Sequence, residues 1–295
     1  MFSFDGAGAD RRDWFPVFLK AGQDAGATFT FFLSGVYLLP QERRLEYKPP
    51  KRPAGTSDIG FQQAARMPEQ IAYLTEAHRA GHEIGTHFNG HFCGPTGVKT
   101  WTAADWRSEL DQFFAIAGPH LPFDLRKAVR GGRTPCLEGD RPAMFKAFRV
   151  YGFRYDASEV GTLSWPRKKA GLWRFPLPSL VHSGTGKQVL SMDYNFYALH
   201  SGARDGQRGM WRRWQRQTAD TYVKTVRRQL AGNRAPVFIG NHFENWNGGI
   251  YMRALLTAMD EICRDAEVRC VSYAQLADWL EAQDGRTLAR LQSLT

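Results

Sequence analysis

Residues 81–91 read GHEIGTHFNGH and carry the sharpest local pattern in the chain. A short run, Glu83 to Thr86, follows a glycine and ends at a histidine, which is typical of a buried strand. His87 and His91 are four residues apart, so on one helical turn both imidazoles would lie on the same side and could share a metal ion. Neutral imidazole suits zinc, cobalt and nickel. The stretch therefore predicts a strand that ends at a two-histidine metal site.

Strand-like runs recur along the chain and alternate with helical patterns. They are rich in β-branched and aromatic residues and are bounded by Gly, Pro or Asp. Such alternation predicts an α/β fold with a mainly parallel sheet, and eight strands favour a barrel that is distorted or incomplete. The predicted strands are 1–5, 27–33, 82–87, 128–132, 153–156, 188–193, 236–242 and 268–272.

A single domain over residues 1–285, followed by a tail at 286–295, accounts for this pattern. One segment interrupts the alternation, since residues 40–61 contain three prolines after Pro40 and no clear periodicity. A loop of this length inside a domain is usually functional. We therefore expect residues 40–61 to be an inserted loop that borders the site.

The composition limits the classes of partner. Hydrophobic residues make up 43% of the chain and aromatic residues 13%, which is enough for a packed core and argues against disorder. The net charge of +10 favours anionic partners. The one stretch that mixes Arg with Trp, residues 211–216, is more simply a helix with exposed arginines, so no nucleic-acid partner is predicted.

The chain has no apolar run near the ~20 residues that a membrane span requires. Residues 1–5 already resemble a core strand, so we expect an upstream leader and a secreted or envelope location, with a cytoplasmic location as the alternative. Cys93, Cys136, Cys263 and Cys270 fit two disulfides or four buried thiols equally well. Cys263 and Cys270 could bridge locally, and Cys93 and Cys136 could meet across the site.

Ionisable side chains stand at the carboxyl ends of the predicted strands. The carboxyl ends of parallel strands open on one face, where active sites are built. Charged groups brought together there would repel or desolvate one another unless function keeps them in place. The set consists of Asp5, His87, Asp156, Asp193 and His242, with Arg133 directly after another strand.

These residue types point to hydrolysis. Asp5 could bind the metal or act as the general base on a bound water. Arg133 could keep that carboxylate ionised and oriented. His242, which titrates near neutrality, could protonate an amine leaving group.

Aromatic and polar residues near these positions suit a sugar. Trp246 and Tyr194 offer flat apolar faces together with hydrogen-bonding groups, although either could instead be core. Asn241 and Asp193 lie beside them in sequence, and all four are predicted to bind substrate.

In this order, the motifs resemble those of the NodB-type polysaccharide deacetylases, carbohydrate esterase family 4. The resemblance implies a distorted (β/α)7 barrel, a divalent metal that is often zinc, and removal of N-acetyl groups from amino-sugar polymers. It also implies that His87 and His91 are metal ligands, that Arg133 orients the catalytic carboxylate, and that His242 is the general acid. The matching motifs are Ser3–Gly6, Gly81–His91, Arg133–Pro135 and Ile239–His242.

The chain departs from the family at one position. The family usually has two adjacent aspartates after the first strand, one the base and one a ligand, whereas here Gly6 follows Asp5. Asp5 is the base if the motifs align directly, or the ligand if one residue is deleted. Asp10 or Asp193 could replace the missing group.

The sequence thus predicts a metal-dependent deacetylase that acts on an N-acetylated glycan. Two alternatives remain: a glycan-binding or envelope scaffold protein that has lost catalysis, and a hydrolase of another amide C–N bond. A narrow pocket closed by residues 40–61 would favour the second alternative, while an open groove lined by Trp246 and Tyr194 would favour a polymer.

Overall fold

A curled, eight-stranded sheet forms the centre of the computed structural model, which describes residues 1–8 and 14–294. The strands of the chain are β1 (Phe2–Gly6), β2 (Thr30–Leu33), β3 (Glu83–Thr86), β4 (Gly131–Gly132), β5 (Tyr155–Asp156), β6 (Val160–Gly161), β7 (Lys168–Lys169), β8 (Leu172–Arg174), β9 (Leu177–Val181), β10 (Gln188–Leu190) and β11 (Ile239–His242). The main sheet has the order β11-β1-β2-β3-β4-β5-β8-β7 and is parallel except at β7. It is a half-barrel, open between β11 and β7, and it confirms the predicted α/β class.

Helices join most of the parallel strands. Three of them begin at a capping residue, because Thr102, Asp140 and Ser272 each accept a main-chain hydrogen bond from the first turn. The α-helices are α1 (Trp14–Ala25), α2 (Met67–Arg79), α3 (Ala103–Ala117), α4 (Leu125–Ala128), α5 (Arg141–Val150), α6 (Asp193–Ser201), α7 (Trp211–Ala231), α8 (Trp246–Cys263), α9 (Tyr273–Glu281) and α10 (Gly285–Ser293). The predicted tail at 286–295 is therefore largely helical, and no helix among the described residues could span a membrane.

Two of the predicted strands are corrected. Residues 188–190 pair antiparallel with β9 in a separate three-stranded sheet, because the chain reverses in a tight turn in which His182 N donates to Lys187 O at 2.9 Å. No strand is assigned within residues 268–272, where Cys270 makes one main-chain bond to Thr28 before Ser272 starts α9.

A cluster of phenylalanine rings anchors β1 to its neighbours. Phe4 is fully buried and stacks on Phe31 of β2 and Phe243 after β11, with ring centroids 5.3 and 4.7 Å apart. Phe18 of α1 covers the same ring at 4.7 Å. Because aromatic rings bury large areas, this cluster fixes β1 between β2 and β11.

The strand register brings the polar strand ends together. Asp5 of β1 lies opposite His242 of β11, and Thr86 of β3 lies opposite Gly132 of β4. Neighbouring strands are about 4.8 Å apart, so the residues that end or follow these strands meet at one edge of the sheet. His87 and Arg133 are placed there directly after β3 and β4.

Two disulfides join the cysteines, Cys93 to Cys136 and Cys263 to Cys270. The first connects the segment after His91 to the segment after Arg133, and the second spans the turn that follows α8. At the other end of the sheet, β7 forms an edge of two exposed lysines.

Candidate active site

A cavity of about 590 Å³ opens at the carboxyl ends of β1, β2, β3 and β11. Asp5, His87, His91 and His242 all line it. Segment 40–61 supplies Ile59 and Phe61 to one wall, and Tyr194 and Trp246 also line the cavity. A volume of this size lies in the range of small-ligand pockets, roughly 300–1,000 Å³.

Asp5 forms a buried ion pair with Arg133. Arg133 Nη1 lies 2.7 Å from Asp5 Oδ1, and both side chains are almost fully covered. Burial alone would raise the pKa of Asp5, but Arg133, together with His87 and His242, holds it below its ordinary value. The carboxylate therefore stays ionised and can accept a proton.

The guanidinium of Arg133 is itself fixed by several contacts. It donates to Ser3 Oγ at 2.9 Å, to Tyr273 OH at 2.8 Å and to Ala157 O at 3.1 Å, and it lies 4.7 Å from the centre of the Phe32 ring. A guanidinium satisfied on this many sides has little freedom to rotate. Arg133 thus holds Asp5 in a single orientation.

His87 and His91 face one another, with ring centroids 5.0 Å apart. His87 Nδ1 lies 2.8 Å from Arg133 O, and because a carbonyl oxygen only accepts, Nδ1 carries the hydrogen and Nε2 keeps its lone pair. Burial lowers the pKa of His87 to about 3 and also lowers that of His91. Both imidazoles are therefore neutral at pH 7, which is the state that binds metals.

The donor set around the two histidines fits a divalent metal with two protein nitrogens. Among residues 1–8 and 14–294, no carboxylate completes a three-ligand cluster with this pair. His91 does lie close to Cys93 and Cys136, but their sulfurs are bonded to each other and cannot act as thiolate ligands. Gly6, the residue that follows Asp5, has no side chain to contribute.

His242 is bound to a buried aspartate. Its Nδ1 lies 2.8 Å from Asp193 Oδ1, so Nε2 is the nitrogen left for the cavity. Burial opposes a charge on the ring, yet the Asp193 carboxylate outweighs it and raises the pKa of His242 to about 9. The ring is therefore protonated at neutral pH and has a proton to donate.

Trp246 stands beside His242, with ring centroids 5.5 Å apart, and two tyrosines pack on Trp246. Trp246 stacks on Tyr197 with centroids 5.1 Å apart and an interplanar angle of 3°. Tyr194 lies at 5.4 Å from Trp246 and remains 46% exposed. Trp246 and Tyr194 line the cavity and present apolar ring surface to it, as a sugar ring requires, while Tyr197 supports Trp246 from behind.

Solved structures with a similar arrangement of strands and helices include polysaccharide deacetylases and an acetyl xylan esterase. A protein of Mycobacterium smegmatis assigned as a polysaccharide deacetylase aligns with a TM-score of 0.56 and 18% identity over 96% of this chain and 89% of that one. The chain has the polysaccharide deacetylase fold. No family model and no curated protein matches the sequence.

Two further structures share this deacetylase fold. A variant of the peptidoglycan deacetylase PdaC from Bacillus subtilis aligns with a TM-score of 0.51 and 13% identity, over 99% of this chain and 96% of that one. A family 4 acetyl xylan esterase from Clostridium thermocellum, solved in complex with a cobalt ion, aligns with a TM-score of 0.50 and 13% identity, over 96% and 91%. The fold expected from the four motifs is thus confirmed.

Within this deacetylase fold, some of the predicted site residues lie away from the cavity. Asn241 is fully buried and donates to Ser3 O at 3.4 Å. Successive side chains of a strand point to opposite faces of the sheet, so Asn241 points away from the face that His242 occupies. Asp193 accepts hydrogen bonds from His242 and starts α6 instead of ending a strand. Neither residue is placed to contact substrate directly.

Asp156 does end β5, as predicted, but it forms an ion pair with Arg174. Asp10 lies outside the described residues.

Other residues at the cavity were not predicted. The ring of Tyr37 packs against the backbone of Gly6 and Gly8, where an added Cβ would come within 3.5 and 2.9 Å of it. Burial and the nearby Glu244 raise the pKa of Tyr37 to about 12, so it stays a neutral phenol. Glu244 also lines the cavity and follows His242 by two residues. This closeness to a strand-end histidine is the sequence feature from which its place at the cavity could have been predicted.

Proposed function

We propose that this chain is a hydrolase that removes N-acetyl groups from an amino-sugar glycan. The proposal depends on one observation: an ionised carboxylate, two neutral imidazoles and a protonated imidazole line the same cavity. These are the groups that amide hydrolysis needs, since one must take a proton from water and another must give one to the amine.

His87 and His91 would hold the divalent metal through Nε2 of His87 and one nitrogen of His91. Zinc is the first expectation, with cobalt or nickel as substitutes. When bound, such a metal polarises the acetamide carbonyl and makes a water more acidic. Water and substrate would supply the coordination that the two histidines leave open.

Asp5 serves as the base in this proposal. Arg133 keeps it ionised and occupies Oδ1, so the carboxylate is fixed where it can take a proton from the attacking water. Among residues 1–8 and 14–294, the carboxylate of Asp5 does not cluster with the ring nitrogens of both histidines, which supports Asp5 as the base over Asp5 as the ligand.

His242 serves as the acid. Its Nε2 faces the cavity with a proton that Asp193 stabilises, and it can transfer this proton to the departing nitrogen. Free amine and acetate are the products. The removal of a general acid typically lowers the rate by about 10²- to 10⁴-fold, which is the effect expected for His242→Ala.

The substrate that we propose is an N-acetylated glycan. Trp246, Tyr194 and the open cavity suit a sugar ring at the edge of a polymer. The two disulfides suit an oxidising compartment, so we propose a secreted or cell-envelope location.

The direct test measures metal content and acetate release together, on oligomers of N-acetylglucosamine. His87→Ala should lose both, whereas His78→Ala, which changes an exposed histidine outside the cavity, should keep both. Undiminished acetate release from metal-free protein would defeat the metal role, and no acetate release from metal-loaded wild type would defeat the proposed activity.

A second candidate function has one observation in its favour. Gly6 stands where the family carries an aspartate, so the chain could be a glycan-binding or envelope scaffold protein with impaired catalysis. That protein would bind the oligomers without releasing acetate. If acetate is not released but another amide is cleaved, the chain is a hydrolase of a different C–N bond.

A further inference from the structure

A buried tyrosine–glutamate pair packs against the turn that joins His87 to His91. Tyr47 comes from segment 40–61 and Glu109 from α3, and both are 0% exposed. A buried carboxylate is costly unless other groups compensate it. Burial raises the pKa of Glu109 to about 7 despite its hydrogen bonds. The fold thus retains an unfavourable group at this position, and its contacts suggest why.

The pair binds the main chain of the turn. The Tyr47 hydroxyl donates to the Glu109 carboxylate, whose two oxygens lie at 2.9 and 3.0 Å. The same hydroxyl accepts from Gly90 N at 3.1 Å, and Glu109 Oε1 accepts from Asn89 N at 3.0 Å. The Asn89 side chain also donates to Glu109 O at 2.9 Å. Both central amides of the turn are therefore bound by Tyr47 and Glu109.

The turn needs such support because its backbone is unfavourable. Phe88 and His91 adopt left-handed conformations, with φ of 62° and 59°. Residues with side chains rarely hold these angles unless surrounding contacts impose them. Segment 40–61 adds a further contact, since Asp58 N donates to Gly90 O at 2.8 Å.

We infer that Tyr47 and Glu109 are positioning residues that hold the turn so that His87 and His91 face each other. This inference rests on the metal role of the two histidines in the proposed function. Groups behind metal ligands orient the ligands and tune metal affinity. Segment 40–61 therefore builds the site in two ways: Ile59 and Phe61 line the cavity, and Tyr47 holds the histidine turn from behind.

The chain offers a matched control for this inference. Tyr155 is also a fully buried phenol that donates to a buried glutamate, Glu83, at 2.7 Å. Tyr155→Phe and Tyr47→Phe remove the same chemical group from similar surroundings, but only Tyr47 contacts the histidine turn. A general loss of stability should appear in both variants.

The experiment titrates metal-free protein with Co²⁺ and follows the visible absorption of bound cobalt, with urea unfolding in parallel. Tyr47→Phe and Glu109→Gln should weaken cobalt binding by about 10- to 100-fold, the range typical of groups behind metal ligands. Tyr155→Phe should bind cobalt like the wild type. Amide exchange at Asn89 and Gly90 should be faster in Tyr47→Phe and unchanged in Tyr155→Phe. This measurement follows the mobility of the turn directly, so it tests the inference even if Glu109→Gln does not fold.

The outcomes separate the two proposals. Wild-type protein that binds no cobalt defeats the metal role and this inference with it. Wild-type protein that binds cobalt, with equal affinity in Tyr47→Phe, overturns the inference alone. Equal weakening in Tyr47→Phe and Tyr155→Phe also overturns it, because the effect would then be one of stability.

Discussion

Asp193 accepts two hydrogen bonds from His242, one from the main-chain N at 2.7 Å and one from Nδ1 at 2.8 Å. Each carboxylate oxygen therefore binds His242, while Oδ1 also accepts from Tyr194 N at 2.8 Å, and the imidazole is fixed relative to its own backbone. This double contact keeps Nε2 directed at the cavity and maintains the proton on the ring.

The Asp193→Asn variant tests this contact. Loss of the carboxylate charge should lower the pKa of His242 from about 9 toward its ordinary 6.5. Because the acid must be protonated, the loss of acetate release at high pH should move to lower pH. The pH dependence of kcat/KM and an NMR titration of His242 measure the two effects.

Stability should respond to the same shift. A histidine with a raised pKa stabilises the fold fully below pH 6.5, and the contribution is lost as the pH rises through about 9.

Asp156→Asn, a change at another buried aspartate, should leave the His242 titration in place. An unaltered titration in Asp193→Asn would contradict the assignment.

Arg133→Gln should destabilise the protein strongly. The change leaves Asp5 buried without its cation, and the loss of one partner from a buried pair typically costs about 3–5 kcal/mol. The double variant Asp5→Asn/Arg133→Gln should recover part of this loss. Urea unfolding of these two variants and of Asp5→Asn gives the coupling energy, and a double variant whose loss equals the sum of the two single losses would mean that the pair is not coupled.

The two disulfides should contribute unequally to stability. Their sequence separations are 43 and 7 residues, and the loss of chain entropy in the unfolded state grows with loop length. On this basis Cys93→Ser/Cys136→Ser should cost about 4 kcal/mol and Cys263→Ser/Cys270→Ser about 2.5 kcal/mol. Urea unfolding compares them, and the reverse order would show that strain or residual structure dominates.

Gly6→Asp should raise metal affinity at some cost in stability. Gly6 has φ of +79°, where a residue with a side chain loses about 1–2 kcal/mol. Gly6→Ala has the same backbone cost without a carboxylate, so the difference between the two variants isolates the added ligand. Equal cobalt affinity in both would mean that position 6 cannot reach the metal.

The strand-end residues could be predicted from sequence because parallel strands place their carboxyl ends on one edge. Asp5, His87 and His242 follow from local patterns alone. Asp193 was predicted at a strand end and instead starts a helix, yet it still reaches His242. Gly240 N donates to Ser191 O at 2.8 Å, and this bond, with the bridge between Met192 and Gly240, brings the start of α6 alongside β11.

The supporting residues could not be predicted, because their roles depend on contacts between distant parts of the chain. Tyr273 binds Arg133 from 140 residues away, and Tyr47 binds Glu109 from 62 residues away. Neither residue has a local pattern that distinguishes it from an ordinary core tyrosine. The incomplete barrel was predicted, but two of its predicted strands were wrong: residues 188–193 reach the main sheet only through an isolated bridge between Met192 and Gly240, and residues 268–272 form no strand.

The open half-barrel has consequences for how copies of the chain meet. Unpaired main-chain groups at a sheet edge can template strands from other molecules. Here the β7 edge offers only Lys168 and Lys169, both exposed. Lys168 is paired with Glu281 at 3.1 Å, so two molecules that approached edge to edge would bring mainly their Lys169 charges together. This repulsion opposes intermolecular strand addition and fibre growth at high concentration.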